Sequence, residues 1–171
     1  GHKVCVDGPE YETAAACSNM GCFDLDFVFE FNFYCDTYGI DTISAGTCIA
    51  FVMEAFEAGV ITTAHTGGKE LRFGATAETL ELLHEMARGE GFGVDVGQGI
   101  RRLKEKWARE LGAAPAFLQD IGMEAKGLEY SEYVSKESLA QQAGYTMAVK
   151  GPQHDEAWLI FMDMVNKQIP T

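Results

Sequence analysis

A short stretch constrains the chain most, because it places two aspartates five residues apart on either side of a glycine. Gly39 permits a tight or left-handed turn that a residue with a Cβ atom resists, so Asp36 and Asp41 can be turned toward one object. Paired aspartates on a rigid turn accept hydrogen bonds from a group rich in N–H donors, or coordinate a hard cation. The same pattern is typical of a helix that ends at Gly39, followed by a helix capped by Asp41, Thr42 or Ser44.

The composition is that of a globular protein of about one domain. The chain has 171 residues, 47% of them apolar, which is enough to bury a hydrophobic core. Thirteen basic and 26 acidic residues give a net charge of −13, which argues against nucleic acid or an anionic membrane as a partner. No apolar run reaches the roughly 18 to 20 residues of a membrane span, and the first residues lack the apolar stretch of a signal peptide. We therefore expect no membrane span and a cytoplasmic location.

Five cysteines are present, an odd number, and none has the CxxC spacing of zinc or thioredoxin-type sites. In a reducing compartment, buried thiols account for most of them.

Most of the chain has the pattern of helices. Helix-forming residues run from Thr42 to Ala58 and stop at Gly59. Further helices are predicted from Thr76, as a cap, to a stop at 89, and at 96–111, 135–149 and 155–165. Residues 25–33 alternate apolar and polar residues, which by period alone predicts a strand. A short strand is also predicted at 3–6, leading to a turn at 7–9.

The helix predicted at 96–111 carries five basic residues, namely Arg101, Arg102, Lys104, Lys106 and Arg109. Such a cluster is usually a solvated face and less often a contact surface for an acidic partner. Residues 112–115 are the best candidate for a linker.

Several motifs, in the same order as in the family, resemble the aldehyde ferredoxin oxidoreductase family, whose members carry tungsten on two pyranopterin dithiolenes. The stretch from Asp36 to Ser44 resembles its first pterin-binding motif, with Ile40 in place of the usual leucine. Residues 8–13 match GPEYET and 126–129 match VKGLE, while RFG at 72–74 and GFG at 91–93 match helix borders. The segment 151–158 looks most like the catalytic subunit of tungsten-dependent benzoyl-CoA reductase.

The resemblance implies a mainly α, multi-helical fold of about six helices with a short N-terminal β-strand. It also implies that residues 25–38 form a helix, capped by Asp24 and ended by Gly39. Residues 1–112 would correspond to the later part of the second, helical and pterin-binding domain, and 113–171 to the start of the third. The family's clustered iron–sulfur cysteines and its second pterin motif are not in the sequence. We therefore expect an internal segment of a longer enzyme, inactive in isolation.

The resemblance assigns cofactor binding to five residues, which would hold one pterin of a tungsten bis-pyranopterin with magnesium: Asp36, Gly39, Ile40, Asp41 and Thr42. Cys48 is either a packed thiol or a tungsten ligand, and the second role would separate a benzoyl-CoA reductase type from aldehyde oxidases. Glu10, Tyr133 and His154 are predicted to face the substrate. Glu10 and His154 would form a pair that passes protons, and the pKa of Glu10 would rise in a closed, dry pocket.

The chain departs from the family pattern at several positions near these residues. Glu124 stands where members often carry a histidine. Tyr133 matches the tyrosine of the PAYDP segment, whose proline and aspartate are replaced by Ser131 and Val134. Gln153 replaces the cysteine that precedes His154.

The predicted function is reduction of an aromatic acyl-CoA, such as benzoyl-CoA, with low-potential electrons delivered through a 4Fe-4S cluster. Ferredoxin or an iron–sulfur electron-transfer subunit would be the partner. One alternative is oxidation of an aldehyde to a carboxylate with ferredoxin as acceptor, and another is a non-catalytic scaffold or subunit-binding segment. A half-built core would leave apolar surface exposed, so aggregation or a homo-oligomer is expected of the isolated chain.

Overall fold

The computed structural model describes residues 3–6, 10–133, 135 and 138–168. Within them the chain forms nine α-helices and one two-stranded antiparallel sheet, which confirms the mainly α prediction. The helices are α1 Tyr11–Asn19, α2 Leu25–Tyr38, α3 Thr42–Glu57, α4 Thr76–Arg88, α5 Gly93–Val96, α6 Ile100–Glu110, α7 Pro115–Ile121, α8 Leu139–Met147 and α9 Leu159–Gln168. The sheet pairs β1 Glu124–Ala125 with β2 Leu128–Glu129. The domain boundary near residue 112 stays a prediction.

The strand predicted at 3–6 is wrong, because these residues have no regular secondary structure. A strand needs a neighbour for its backbone hydrogen bonds, and the strands of the described chain pair with each other. The turn predicted at 7–9 lies outside the described residues.

Helix α2 forms although its sequence alternates as a strand would. The Asp24 side chain accepts a hydrogen bond from the Phe27 amide at 2.9 Å, and Gly39 ends the helix in the left-handed region at φ 67°. Phe27, Phe31 and Cys35 repeat every four residues and are buried together on one face. The helix predicted from the family resemblance is therefore confirmed, with its predicted cap and stop.

Helix α3 is the centre of the core. Twelve of its residues are buried, in a nearly continuous run from Ile43 to Phe56. Its small residue Gly46 lies directly against Ala16 of α1, so the two helices approach closely. Within the described residues no single helix is long and apolar enough to cross a membrane; α2 and α3 meet that test as a pair bent by 118°.

Two helices differ from the prediction at their starts. Helix α4 begins at Thr76 itself, with Ala75 at the capping position, so Thr76 as the cap is wrong. The helix predicted at 96–111 is broken between α5 and α6, where Gly99 has a φ of 84°. Glu129 of β2 accepts a hydrogen bond from the Ile100 amide at 3.0 Å, which satisfies a free donor at the start of α6.

The basic residues of α6 are largely neutralised by the chain's own carboxylates. Lys104 donates to Glu124 at 2.6 Å, and both side chains are nearly buried. Lys106 pairs with Asp95, and Arg109 with the neighbouring Glu110. Helix α6 therefore offers little unpaired positive charge, and docking of an acidic partner on it stays a prediction.

The last two helices differ from the predicted bounds. Helix α8, predicted at 135–149, spans Leu139–Met147, and α9, predicted to begin at 155, begins at Leu159. The Ser138 hydroxyl caps α8 by accepting from the Gln141 amide. Large apolar side chains are exposed in this part of the chain, namely Leu139, Met147, Val149, Trp158, Leu159, Phe161 and Met162. This exposure agrees with the expected apolar surface, while self-association stays a prediction.

Candidate functional site

The turn between α2 and α3 has the geometry of a double helix cap. Gly39 is the left-handed end of α2, and the Asp41 carboxylate accepts from the Ser44 amide at 2.8 Å at the start of α3. Asp36 lies exposed in the last turn of α2, and its Oδ2 atom accepts from the Asn32 amide at 3.4 Å. The capping interpretation is thus confirmed, and it leaves carboxylate oxygens of both aspartates free to accept further hydrogen bonds.

A polar cavity of about 140 Å³ adjoins this turn, where α1, α2 and α3 meet. Its lining combines predicted cofactor and catalytic residues with new ones, namely Glu10, Glu12, Thr13, Asn32, Asp36 and Thr42. Thr13 donates to the Asn32 side-chain oxygen at 2.7 Å, which orients the Asn32 amide toward Asp36. Ile40 is partly buried and packs on the core, so its contribution is to hold the turn. The cavity wall is rich in acceptors and has no positive charge.

His154 lies beside Glu12, with 3.6 Å between its Nε2 atom and the Glu12 Oε1 atom. The predicted pairing of His154 with Glu10 is therefore wrong, since Glu10 forms no ion pair with any described residue. Glu10 occupies the position just before α1, where its carbonyl accepts from the Ala14 amide, and its side chain is exposed. Glu12 lies within the first turn of α1, and it is the carboxylate that reaches His154.

Two tyrosine rings pack beside His154. Tyr11 and Tyr133 stack with ring centroids 4.6 Å apart, and the His154 ring lies 5.3 Å from the first and 5.5 Å from the second. The Ser131 hydroxyl is 3.3 Å from the other ring nitrogen of His154, Nδ1. The structure thus brings Tyr133 and His154 together, as expected of residues that share one site.

Sequence reasoning missed Glu132. Its Oε1 atom accepts from the Thr47 hydroxyl at 3.1 Å, whereas Oε2 is buried without a hydrogen-bond partner among the described residues. Burial raises the pKa of Glu132 to about 7, so this carboxyl can gain or lose a proton near neutral pH. The sequence did contain a signal for this residue, because Glu132 places a charged side chain where the PAYDP motif has alanine.

Two tyrosine hydroxyls lie close to Glu132: that of Tyr11 is buried without a partner in the described chain, whereas that of Tyr145 lies beside Ser131 and Gln141. Burial, reinforced by the nearby Glu132 carboxylate, raises the pKa of Tyr11 well above its usual value. Both tyrosines therefore stay neutral and available as hydrogen-bond donors.

Cys48 has the contacts of a packed thiol. It is buried, and its Sγ atom donates to the Val96 carbonyl at 3.4 Å. Burial raises the pKa of the Cys48 thiol well above its usual value, which disfavours the thiolate that a metal requires. It lines a different cavity from that of Glu12, and the described residues contain no group of three side chains arranged to hold a metal ion. Tungsten ligation by Cys48 stays a prediction.

Comparison with known proteins gives these features a context. The whole chain, residues 1–171, matches the family described as aldehyde ferredoxin oxidoreductase, domains 2 and 3, and the chain belongs to this family.

Two similar proteins are tungsten-containing aldehyde ferredoxin oxidoreductases. The one from Pyrococcus horikoshii is 37% identical over 138 residues, which are 78% of this chain and 20% of the relative. The one from Pyrococcus furiosus is 31% identical over 157 residues, 91% of this chain and 24% of the relative. A third relative, the WOR-like subunit of an aliphatic sulfonate oxidoreductase from Pyrococcus furiosus, is 25% identical over 151 residues, 86% of this chain and 24% of the relative. The chain therefore spans about a fifth to a quarter of the length of these relatives.

The residues present fit one pterin of such a cofactor. A pterin ring presents several N–H donors at its edge, and the cavity beside Asp36 and Thr42 offers acceptors without competing cations. The space beside Gly39 is open, because a Cβ atom built on this residue would meet no described atom within 4 Å. The acceptor set would thus be available to a ring that approaches the turn.

Proposed function

We propose that this chain supplies a pterin-binding turn and a proton-transfer group to a tungsten enzyme that oxidises aldehydes to carboxylates. The observation that carries the proposal is the His154–Glu12 pair, because Glu12 also lines the acidic cavity that contains Asp36 and Thr42. A proton-transfer pair thus adjoins the residues that would hold the cofactor. The names of the relatives, as tungsten-containing aldehyde ferredoxin oxidoreductases, support the same reaction.

The turn would hold the cofactor by hydrogen bonding. Asp36 and Asp41 would accept from the N–H groups of one pterin, while Ile40 anchors the turn in the core. When bound, the tungsten cofactor supplies the two-electron chemistry, and ferredoxin would take the electrons. The remaining cofactor contacts would come from other segments of the complete enzyme, which this chain does not include.

The chain's own residues would accept and release the protons of this reaction. Conversion of an aldehyde and water to a carboxylic acid releases two electrons and two protons, and an adjacent base is needed to accept the protons. His154 is suited to this because a neutral imidazole nitrogen can accept a proton, and Glu12 stabilises the ring once it is protonated at Nε2. Tyr133, beside the ring, could donate its hydroxyl to the carbonyl oxygen of the aldehyde. The two stacked tyrosines pack beside the His154 ring and help to orient it.

Reduction of an aromatic acyl-CoA is the second candidate. Its support is the sequence pattern of residues 151–158, and its discriminating feature would be a tungsten-bound Cys48. The buried, hydrogen-bonded thiol of Cys48 favours aldehyde oxidation instead.

The test is tungsten and pterin analysis of the complete enzyme to which this segment would belong, purified without oxygen, together with aldehyde-dependent reduction of ferredoxin. We expect tungsten, pterin and aldehyde oxidation, and a several-fold lower pterin content in Asp36→Asn. Glu30→Gln, an exposed change on the same helix, is the matched control and should leave the pterin content unchanged. Benzoyl-CoA reduction without aldehyde oxidation would favour the second candidate. Folded protein without tungsten and pterin would mean a non-catalytic segment.

A further inference from the structure

A second cavity, of about 180 Å³, lies next to His154. Two of its lining residues, Ser131 and Tyr133, also contact the His154 ring. All of its lining residues except Met123 carry a hydroxyl, carboxyl or amide group, namely Asn19, Thr47, Tyr130, Ser131, Glu132, Tyr133 and Ser135. The cavity therefore presents several polar groups in a mainly apolar wall, next to the proton-transfer pair.

Two buried oxygens without a hydrogen-bond partner in the described chain lie at this place. They are Glu132 Oε2 and the hydroxyl of Tyr11, and the Glu132 carboxylate contributes to the raised pKa of Tyr11. Native proteins rarely leave buried polar atoms unpaired, because such an atom loses its hydrogen bonds to water without gaining another partner. Glu132 also belongs to the lining of the cavity, so a ligand there can supply its missing partner.

The chemistry of the groups indicates what kind of ligand fits. A carboxylate needs a donor, whereas neutral serine, threonine and tyrosine hydroxyls can donate to an acceptor. A hydroxyl group both donates and accepts, but an ammonium group cannot accept and a carboxylate ligand cannot donate. An anion would also meet the charges of Glu132, Glu12 and Asp41, the last two of which already raise the pKa of Glu132. A neutral hydroxylated molecule therefore satisfies the cavity best.

We propose that this cavity binds the hydroxyl-bearing part of a small neutral hydroxyaldehyde, with Glu132 as the residue that determines specificity. This inference rests on the proposed function and names its substrate class. Relative to PAYDP, Ser131 and Glu132 add a hydroxyl and a carboxyl to the site. A substrate that lacks hydroxyl groups would bury these polar side chains without giving them a partner, which disfavours its binding.

Ionisation of Glu132 should modulate this binding. The groups that face Glu132 are Tyr11, Glu12 and Cys17 of α1, Asp41 and Thr47 at the start of α3, and Tyr145 of α8. An ionised carboxylate accepts a hydrogen bond more strongly than a neutral carboxyl does. Affinity for a neutral hydroxylated ligand should therefore rise as pH increases through about 7, the pKa of Glu132.

Glycerol is a suitable probe because it carries hydroxyl groups but no aldehyde. We expect saturable chemical-shift changes in the NMR signals around Thr47 and Glu132, and clearly weaker binding of propan-1-ol and propionate. Glu132→Ala, which restores the residue of the motif, should weaken glycerol binding by about tenfold, as expected for one lost hydrogen bond to a charged group. Glu132→Gln keeps the shape of the side chain and should remove the pH dependence. The exposed Glu105→Gln is the control and should bind glycerol as the parent does.

Equal glycerol binding by the parent and Glu132→Ala would overturn the inference, as would tighter binding of propionate than of glycerol. The outcome is independent of turnover, because glycerol is not oxidised at an aldehyde group. Aldehyde oxidation without glycerol binding would refute the assigned substrate class and leave the proposed function standing. Glycerol binding in protein that does not oxidise aldehydes would refute the proposed function instead.

Discussion

His154 and Glu12 come from opposite ends of the chain, yet the histidine Nε2 atom lies 3.6 Å from the glutamate Oε1 atom. Glu12 is placed by the first turn of α1, and His154 by the loop before α9. Because α1 packs on the buried helix α3, the glutamate is held on a rigid element, as a proton-transfer group requires.

The first prediction concerns this pair. Glu12→Gln and His154→Gln should each lower kcat/KM for aldehyde oxidation by roughly 100-fold, the effect typical of a lost acid–base group. The double variant should be little worse than either single variant, because the two groups act as a unit. Steady-state kinetics of the three variants measure this. Glu10→Gln is the comparison, and a larger loss there than in Glu12→Gln would return the role to Glu10.

Glu132 predicts a pH dependence of stability. Its pKa is about 7 in the folded protein, above the ordinary value of 4.5, so the folded state binds its proton more tightly than the unfolded state does. The stabilisation is complete below about pH 4.5 and is lost as pH rises through 7. Urea unfolding should show a fall of up to about 3 kcal/mol over this range. Glu132→Gln should flatten the profile relative to the parent, whereas a profile like that of Glu105→Gln would contradict burial of the charge.

Reaction with thiol reagents can show whether Cys48 is a packed thiol or a metal ligand. As a buried, protonated thiol it should resist thiol reagents in the folded protein, whereas the exposed Cys5 should react readily. Cys48→Ala should lower the free energy of unfolding by about 1–2 kcal/mol and leave the tungsten content unchanged. Cys5→Ala is the control for both measurements. Loss of tungsten in Cys48→Ala alone would instead establish the ligand.

Gly46 sets the distance between α1 and α3. A Cβ atom at this position would lie 2.8 Å from the Ala16 Cα atom and even closer to its Cβ atom. Gly46→Ala should therefore lower the free energy of unfolding by about 1–3 kcal/mol and also displace Glu12, which α1 carries. Urea unfolding measures the first effect. Ala16→Gly in the same chain should rescue it in part, because the Ala16 backbone remains close; no rescue would mean that the contact is not the cause.

In α2 two sequence signals favour different structures. Its alternation of apolar and polar residues predicts a strand, whereas the capping residues Asp24 and Gly39 are those of a helix. The helix forms because Phe27, Phe31 and Cys35 can all be buried on one face in the hydrophobic core, and burial of large side chains outweighs the preference of single residues. The strand predicted at 3–6 is wrong for the opposite reason, because among the described residues no strand lies beside it to share backbone hydrogen bonds.

The candidate site shows the same division. Sequence motifs identified Asp36, Gly39 and Asp41, whose turn is built from neighbouring residues and so is encoded locally. The partner of His154 was predicted as Glu10, two positions from the carboxylate that reaches it. That choice depends on where α1 begins and how it rotates against α3, which no local pattern records.

By itself the sequence determined the caps of α2 and of the start of α3, the turn at Gly39, the mainly helical class and the family, because each depends on residues close together in the chain. Only the tertiary structure decided that Glu12 pairs with His154 and that Lys104 pairs with Glu124. It also decided that Glu132 is buried with a pKa near neutrality. Burial and ion pairing depend on which distant segments come into contact, and these contacts arise only when the helices pack around α3.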